Sequence, residues 1–397
     1  MSWKVTTLEN HVDLISGPAF KSAKFSDNPD DIPLIKGENL SQQKILWEKS
    51  RYWPVNEVAG YEKYFLEEGD VVLAMDRPWV PAGLKYAWIQ KADPKALLVQ
   101  RVARLKGING LSTDFLRYII GSQKFSQYIK GIMGGTNVPH ISGDQIKAFQ
   151  FQLPSQTEQK RIVSILSPYD DLIENNRRRI QLLEEAARLL YQEWFVRLRF
   201  PGHEHTKIVD GVPEGWKSVH LHDVANITMG QSPASSYYNH DGIGLPFHQG
   251  VRDYGNRFPT NTTYCSKEFR IAEAGDILFS VRAPVGRINI TLDRIVIGRG
   301  LASIRSKANH QEFLFYCLKN IFFKDDLMGT GAIYAAITKK ELTEYCLLYP
   351  SNLIIESFIE YVKPIDQMII SLHMSNRNLI NSRDLLLPRL MNGVIPV

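Results

Sequence analysis

The 397-residue chain contains an internal repeat that spans nearly its whole length, and this repeat limits the possible folds more than any other feature. Six residues between positions 3 and 37 recur in the same order 213 positions later. The segment EEGDVVLAMDRP recurs 206 positions later as EAGDILFSVRAP, and six residues between 135 and 170 recur 196 positions later. Because the three sets keep their order along the chain, the sequence predicts two copies of one module in tandem.

The first part of each module, about 150 residues, is interrupted by Gly and Pro and carries short runs of β-branched and aromatic residues. These runs predict strands at 70–75, 275–281 and 287–292. Longer apolar-periodic stretches predict helices at 114–132 and 309–326. The pattern is typical of a domain that is either mixed α/β or mainly β with a few helices.

The second part of each module has apolar or small residues at alternating steps of four and three, which is the seam of a coiled coil. Pro168 and Pro364 are expected to start or kink these helices, leaving about 28 residues and about 42 Å of helix beyond each. Two long seams in one chain are expected to pair with each other, antiparallel. The predicted seam residues are Ile162, Leu166, Ile173, Asn176, Ile180, Leu183, Leu190, Ile365, Ile369, Leu372, Asn376, Leu379 and Leu386.

Composition adds limits on the class of protein. The chain has no apolar run near twenty residues and its N-terminus lacks a signal-peptide pattern, so we expect a cytoplasmic protein. Three cysteines without CxxC spacing predict buried thiols, with neither a disulfide framework nor a zinc site. The net charge of +5 comes from an excess of three basic residues in 1–154 and of two in 213–350, which permits an acidic partner.

Motifs of catalysis are missing from the sequence. It contains no GK[ST] phosphate loop, no GxGxxG, no HExxH and no NPP[YF] segment. His203 and His205, with His220 and His222 nearby, could suggest a metal site, but a Pro/Gly-rich solvated linker at 201–215 is the favoured interpretation. The sequence therefore predicts no catalytic residues and no metal ligands.

What remains is a set of polar side chains placed around turns in both globular domains. Arg and Gln side chains can read the edges of guanine and adenine, and Ser, Tyr and Lys commonly contact phosphates. An ordinary solvated turn is the alternative for any single residue. Glycine-rich stretches at 134–137 and 329–331 recur as well and predict tight turns. The candidate DNA-binding residues are Lys36, Asn39, Arg77, Lys85, Gln231, Ser232, Tyr237, Gln249, Arg252, Arg282 and Arg287.

Three segments carry a resemblance to a known family. They are LPSQTEQKRIVSILSPYDDLIENNRRRIQLLEEAARLLYQEWF at 153–195, EAGDILFSVRAPVGRINI at 273–290 and RDLLLPRLMNGVIP at 383–396. Together with the duplicated module, they make the chain resemble the DNA specificity subunit of a type I restriction-modification enzyme, over essentially its whole length.

The resemblance implies an α+β architecture with two tandem-repeated α/β target recognition domains, separated by two long helices that form an antiparallel coiled coil. The expected boundaries are 1–154 for the first recognition domain, 155–200 for the first helix, 201–215 for a linker, 216–350 for the second recognition domain and 351–397 for the second helix. Half-sites about one helical turn apart, roughly 34 Å, match the expected helix length in order of magnitude.

The resemblance also implies a non-catalytic chain that reads an asymmetric bipartite site in double-stranded DNA. Two partner methyltransferase subunits would modify adenine N6 with S-adenosylmethionine, and restriction subunits would use ATP and Mg, so this chain is expected to bind no cofactor. The second helix segment (SNLIIESFIEYVKP) lacks the Gln and basic residues of the first (SQTEQKRIVSILSP), which puts an identical partner contact in doubt. Alternatives are the specificity subunit of a type IIB-like system and a coiled-coil scaffold protein.

Overall fold

The structure, a computed structural model, describes residues 3–80, 83–133, 139–322 and 336–397. The chain divides into two units. Unit 1 comprises residues 1–176 and 374–397, and unit 2 comprises residues 177–373. Each unit holds one globular domain and a part of both long helices. The glycine-rich stretches 134–137 and 329–331 lie outside the described residues.

Unit 1 is built on a four-stranded sheet of order β10-β7-β12-β2 and a three-stranded sheet of order β11-β3-β6. Its core lies between the four-stranded sheet, the helices α1 to α3 and the beginning of α4, where Phe115, Phe125 and Ile162 are fully buried. Its elements are β1 (Lys4–Thr7), β2 (Val12–Ser16), β3 (Ile32–Ile35), β4 (Leu40–Ser41), β5 (Lys44–Ile45), β6 (Tyr52–Trp53), β7 (Val71–Ala74), β8 (Trp79–Val80), β9 (Gly83–Leu84), β10 (Tyr86–Trp88), β11 (Leu97–Leu98), β12 (Val102–Gly107), α1 (Thr113–Ile120), α2 (Gln123–Ile132), α3 (Gly143–Lys147), β13 (Gln150–Leu153) and the first part of α4 (Gln156–Tyr191).

Unit 2 is built on a four-stranded sheet of order β17-β25-β22-β23 and a five-stranded sheet of order β18-β20-β19-β24-β21. Its core joins α6 to the end of α4 and the start of α8, with Phe279, Phe313 and Phe358 fully buried. Its elements are β14 (Ile208–Val209), β15 (Val212–Pro213), β16 (Lys217–His220), α5 (Leu221–Val224), β17 (Ala225–Met229), β18 (Tyr238–Asn239), β19 (Leu245–His248), β20 (Tyr264–Cys265), β21 (Ile271–Ala272), β22 (Ile277–Ser280), β23 (Ile288–Ile290), β24 (Ile295–Ile297), β25 (Leu301–Ser306), α6 (Gln311–Phe322), α7 (Lys339–Thr343), β26 (Cys346–Tyr349) and the first part of α8 (Asn352–Met391).

The sequence repeat is also a repeat of strand register. In unit 1, β12 pairs with β2 so that Ala103 faces Ser16, and in unit 2, β25 pairs with β17 so that Ala302 faces Met229. These positions are related by the offsets 199 and 213. The parallel pairs β3 with β11 and β19 with β24 match in the same way. The two modules therefore share one topology.

The repeated Gly-Asp motif has a structural reason. Asp70 and Asp276 are both buried, and each accepts a hydrogen bond from the backbone N–H of the residue three positions before it, at 2.8 and 2.9 Å. Each also forms an ion pair with a cation on the neighbouring strand, Lys106 or Arg305. The aspartate thus closes the turn before the central strand and ties that turn to the sheet.

Each of the two long helices begins before its proline. Helix α4 has 36 residues and α8 has 40, so they measure about 54 and 60 Å at 1.5 Å per residue. Both continue through Pro168 and Pro364, so neither proline starts a helix, as one of the two expectations had it. A proline inside a helix removes one backbone N–H donor.

The helices run antiparallel within each unit. In unit 1, Asp170 of α4 pairs with Arg383 of α8, and Asn176 pairs with Asn376. In unit 2, Arg179 contacts Met368, and the Trp194 ring, in the turn that follows α4, packs on Phe358. The numbers rise on α4 as they fall on α8. All thirteen seam residues predicted from the heptad pattern are buried or half-buried.

In each unit, a buried aspartate on a long helix accepts a hydrogen bond from a tyrosine of the globular domain. Asp170 of α4 accepts a hydrogen bond from the Tyr118 hydroxyl at 2.7 Å, and Asp366 of α8 accepts one from the Tyr316 hydroxyl at 2.6 Å. Each tyrosine lies on a helix of its own globular domain, so each domain is joined to a long helix by the same kind of contact. Burial raises the pKa of both tyrosines, which keeps them protonated as donors.

Two further expectations are corrected. The helix predicted at 114–132 is two helices, α1 and α2, because the Ser122 hydroxyl accepts a hydrogen bond from the Phe125 N–H and caps the start of α2. Cys265 and Cys317 are buried as predicted, with burial raising the pKa of Cys317 to about 11, but Cys346 is exposed. The stretch predicted as a linker, 201–215, contains the hairpin β14–β15.

Candidate nucleic-acid interface

Four turns of unit 2 come together at one end of its sheets. They follow β17, β19, β22 and β24, so a short segment of backbone leaves the sheet at each point. The backbone N–H of Gln231 donates to the Ile297 carbonyl at 3.0 Å, and the backbone N–H of Arg299 donates to the Ser232 hydroxyl at 3.2 Å. The turn after β22 joins them, since the N–H of Val281 donates to the Gly300 carbonyl at 2.9 Å. These turns, called turn cluster 2, are residues 230–233, 249–253, 282–284 and 298–300.

Glycine makes the close approach of these turns possible. A Cβ at Gly230 would lie 2.2 Å from the Gly298 carbonyl oxygen, and a Cβ at Gly298 would lie 2.7 Å from the Gln249 side chain. Both distances are far below a van der Waals contact. Turn cluster 2 therefore depends on residues without side chains at its centre.

The outer side of turn cluster 2 is polar. The side chains of Gln231, Gln249, Arg252 and Arg282 are exposed, and all four were predicted from the sequence. Ser232 and the Gln249 amide are within 2.8 to 3.0 Å, while Arg252 forms a loose ion pair with Asp253 at 3.6 Å. Amide and guanidinium groups of this kind can bond base edges in the major groove.

One exposed cation of turn cluster 2 was not predicted from the sequence. Arg299 lies in the turn between β24 and β25, flanked by two buried glycines. The Gly-Arg-Gly segment at 298–300 could have indicated Arg299 from the sequence, because glycines on both sides of an arginine indicate close packing of the backbone. Two predicted residues are less available: Arg287 and Tyr237 are half-buried, and the Tyr237 ring contacts Phe269 and Lys267.

Unit 1 brings together the equivalent turns. The Lys85 ammonium donates to the Gly37 carbonyl at 2.9 Å, and Asp76 forms an ion pair with Arg101 at 2.7 Å. Burial, followed by the nearby Arg77 charge, lowers the pKa of Lys85. A Cβ at Gly17 would lie 2.3 Å from Val99 backbone atoms, which repeats the packing seen at Gly230. These turns, called turn cluster 1, are residues 17–20, 36–39, 76–78 and 99–101.

The predicted residues of unit 1 divide into two groups. Arg77 is exposed, whereas Lys36 and Lys85 are half-buried, with Lys36 paired to Glu38 at 3.1 Å. Asn39 is only 1% exposed, and its amide donates to the Leu34 carbonyl at 2.9 Å and accepts from the Lys36 N–H at 2.7 Å. We therefore assign Asn39 to holding the turn in place, because its polar atoms face the backbone and not the solvent.

The two turn clusters are built from equivalent backbone segments but differ in charge. The positions of Asp76, Gln100 and Arg101 in cluster 1 correspond to Arg282, Arg299 and Gly300 in cluster 2. Cluster 1 thus has a carboxylate where cluster 2 has a guanidinium. Lys85 and Arg287 correspond as well, each preceding the outer strand of the four-stranded sheet. The equivalent turns of the two units therefore carry different side chains.

Two of the histidines considered as metal ligands have other partners. The His220 and His222 rings stack at 5.4 Å, and their Nδ1 atoms lie 2.8 Å from the carbonyl oxygens of Glu344 and Thr343. Across residues 3–80, 83–133, 139–322 and 336–397, no group of three or more His, Cys, Asp or Glu side chains could hold a metal ion. In that same part of the chain, no helix is both long and apolar enough to cross a membrane.

The duplicated module identifies the family, because one family model matches the chain twice. The family model of the type I restriction modification DNA specificity domain matches residues 1–185 and again residues 213–381. The chain belongs to the type I restriction-modification specificity subunits. This specificity subunit is 31% identical over 403 residues to the putative type I restriction enzyme MjaX specificity subunit of Methanocaldococcus jannaschii, which covers 100% of this chain and 94% of that protein.

Two further relatives extend the comparison. Over 174 residues the specificity subunit is 36% identical to the EcoAI specificity subunit of Escherichia coli, covering 43% of this chain and 28% of that protein. It shares its fold with the crystal structure of a type I restriction-modification S subunit from M. genitalium, at a TM-score of 0.58 and 16% identity, covering 98% and 96% of the two chains. The predicted family and the predicted α+β class are confirmed. Specificity subunits are the non-catalytic DNA-recognition subunits of their complexes, which agrees with the missing catalytic motifs.

Proposed function

We propose that this specificity subunit reads an asymmetric bipartite target in double-stranded DNA, with one half-site for each recognition domain. The pair of turn clusters supports this most directly, because the two clusters are built from equivalent backbone segments and differ in charge. Because cluster 1 has Asp76 where cluster 2 has Arg282, the two domains are expected to prefer different bases. A type IIB-like complex would read DNA in the same way, so the proposal covers the recognition step in both systems.

The chemistry on DNA is assigned to partner subunits. Methylation of adenine N6 with S-adenosylmethionine would belong to methyltransferase subunits, and ATP- and Mg-dependent cleavage to restriction subunits. The chain itself has no phosphate loop and no NPP[YF] segment with which to supply these reactions. Its part is to place the partners on the target.

The surface of the long helices supports the binding of two copies of one partner. Ile165 and Leu172 of α4 are 37% and 49% exposed, and the residues 196 positions later, Tyr361 and Met368 of α8, are 60% and 46% exposed. Each unit thus presents an apolar pair at the same place in the repeat. Exposed apolar side chains in repeat-related positions indicate two equivalent contact surfaces.

The recognition step is tested by expressing the full chain with its methyltransferase in a host without adenine methylation. Sequencing that detects N6-methyladenine is expected to show one bipartite motif with two different halves. A palindromic motif would contradict the asymmetry, and an unmethylated genome would contradict the function. Binding of the complex to DNA is also expected to fall steeply with salt, which a protein-binding scaffold would not show.

The partner surface is tested by the mass of the assembled complex. Leu172→Ser in unit 1 or Met368→Ser in unit 2 is expected to weaken binding of one methyltransferase copy and leave the other in place. Leu182→Ser is the matched control, because Leu182 is 70% exposed on α4 and its repeat-related residue is Asn378. An intact two-copy complex from both variants would show that the apolar pairs do not hold the partner.

A further inference from the structure

A buried arginine joins a loop of the second recognition domain to helix α8. The Arg257 guanidinium is 4% exposed and forms an ion pair with Asp366 of α8 at 2.6 Å. It also donates to the Tyr316 hydroxyl at 3.2 Å and lies 4.5 Å from the centre of the Phe315 ring. One side chain thus connects the loop, helix α6 and helix α8.

The same loop carries candidate DNA-binding residues. Its outer end is the turn 249–253 of turn cluster 2, which exposes Gln249 and Arg252. The backbone returns from there, with the Thr260 N–H donating to the Asp253 carbonyl at 2.8 Å. At the inner end, Phe258 packs its ring 4.8 Å from that of His373 on α8. The loop therefore presents one end to solvent and fixes the other end on the helix.

Unit 1 has an equivalent link, but its close arginine lies on the long helix. Its buried Asp170 pairs with Arg383 at 2.8 Å, and this arginine belongs to helix α8 and not to the globular domain. Arg383 then donates to the Gln43 side chain of the domain at 2.6 Å. The residue repeat-related to Arg383 is Ala187, which leaves Asp366 to be neutralised by Arg257. An arginine link between helix and domain recurs in both units. In unit 1 the close arginine is Arg383 of the helix, with Arg117 of the domain at 3.7 Å, and in unit 2 it is Arg257 of the domain.

Burial of an ion pair is a weak source of stability, because apolar residues of similar volume often do as well. Such a pair instead fixes the orientation of the side chain, because a guanidinium that bonds to two oxygens is held in one orientation. Arg257 lies four residues after Asp253, so this fixed side chain is close along the chain to the turn that carries Arg252.

We propose that Arg257 is a positioning residue for DNA recognition, which holds the turn 249–253 on helix α8 through Asp366 and so determines base discrimination at the second half-site. The inference rests on the proposed function. It assigns a specificity role to a residue that faces away from the DNA-binding side of its loop.

The test separates orientation from stability. The triple variant Arg257→Met, Asp366→Leu, Tyr316→Phe replaces the network by apolar groups and leaves none of its three polar side chains unpaired. We expect the complex of the full-length variant and its methyltransferase to unfold at a temperature close to that of the wild type. Binding to the target found by methylation sequencing is then measured by fluorescence anisotropy, against DNAs with single base changes in each half-site.

Discrimination at the second half-site is expected to fall about tenfold, the scale of one lost base preference, while the first half-site is discriminated as in the wild type. A loss at both half-sites, or at neither, would overturn the proposal. If the triple variant does not fold, Asp366→Asn alone is judged by the same measurement, since it keeps the shape and removes the charge. A wild-type complex that discriminates at neither half-site would instead contradict the proposed function.

Discussion

The buried asparagine pair of the seam offers a quantitative test of the coiled coil. Asn176 is 6% exposed and donates to Asn376 at 3.0 Å, while Asn376, 8% exposed, donates to the Ile173 carbonyl at 3.3 Å. Replacing Asn376 by Leu removes both hydrogen bonds and leaves the Asn176 amide buried without its acceptor.

The magnitude follows from these contacts. A lost hydrogen bond costs about 1 kcal/mol, and an unsatisfied buried polar group costs about 1 to 3 kcal/mol, partly offset by burial of the leucine side chain. We expect Asn376→Leu to destabilise this part of the coil by about 1 to 3 kcal/mol. Adding Asn176→Leu removes the orphaned amide, so the double variant is expected to be at least as stable as the wild type.

Native-state hydrogen exchange measures this locally, which suits a chain of two units. Amides near 173–180 and 372–380 are expected to exchange about 10- to 100-fold faster in the single variant, since 1.4 kcal/mol corresponds to a factor of ten. Exchange in the double variant is expected to return to the wild-type rate or below it. Equal acceleration in both variants would refute the reasoning, because it would show that the pair is not coupled.

Three other outcomes are expected. Arg282→Ala should weaken binding by about 1 to 3 kcal/mol at one half-site in anisotropy titrations, and an equal loss on random DNA would argue against base reading. Gly230→Ala should disrupt turn cluster 2 and abolish methylation at the target, because its Cβ would lie 2.2 Å from the Gly298 oxygen. Gly131→Ala, whose Cβ would have no neighbour within 4 Å among the described residues, serves as its control and should stabilise α2 by about 0.5 to 1 kcal/mol. Burial lowers the pKa of His248 below 6.5, so the unfolded chain binds the proton more tightly and the urea midpoint of unit 2 should fall as pH drops from 7 to 5. The variant His248→Gln should lose most of that slope, and an unchanged slope would point to another group.

The sequence was sufficient to predict the repeat, the family and the seam. A heptad pattern is a local signal repeated many times, so thirteen positions could be identified without knowledge of the fold. The central strands were also predicted, because runs of β-branched and aromatic residues recur at 70–75 and 275–281. These features depend on spacing along the chain.

Features that depend on contacts across the chain were not predicted. Asn39 and Arg252 both lie in polar turns, but only the fold shows that the first bonds its own backbone and the second faces solvent. Arg257 was not singled out, because its partner Asp366 is more than a hundred residues away. Gln159 likewise caps the start of α1 by accepting from the Ser112 N–H at 2.9 Å, although it is fully buried.

The different origins of the two buried arginines determine how this protein tolerates domain transplantation. A chimera that carries the second recognition domain on the first half of the scaffold would bring Arg257 to a place where Arg383 already pairs with Asp170 at 2.8 Å. Two close guanidinium groups would then share one carboxylate, in place of one close group and Arg117 at 3.7 Å. The reverse transplant would bring only the looser partner Arg117, which lies 3.7 Å from Asp170 in its own unit, because Ala187 stands where the first half has its closer arginine. A graft should therefore carry a second substitution, Arg383→Ala in the first case and Ala187→Arg in the other.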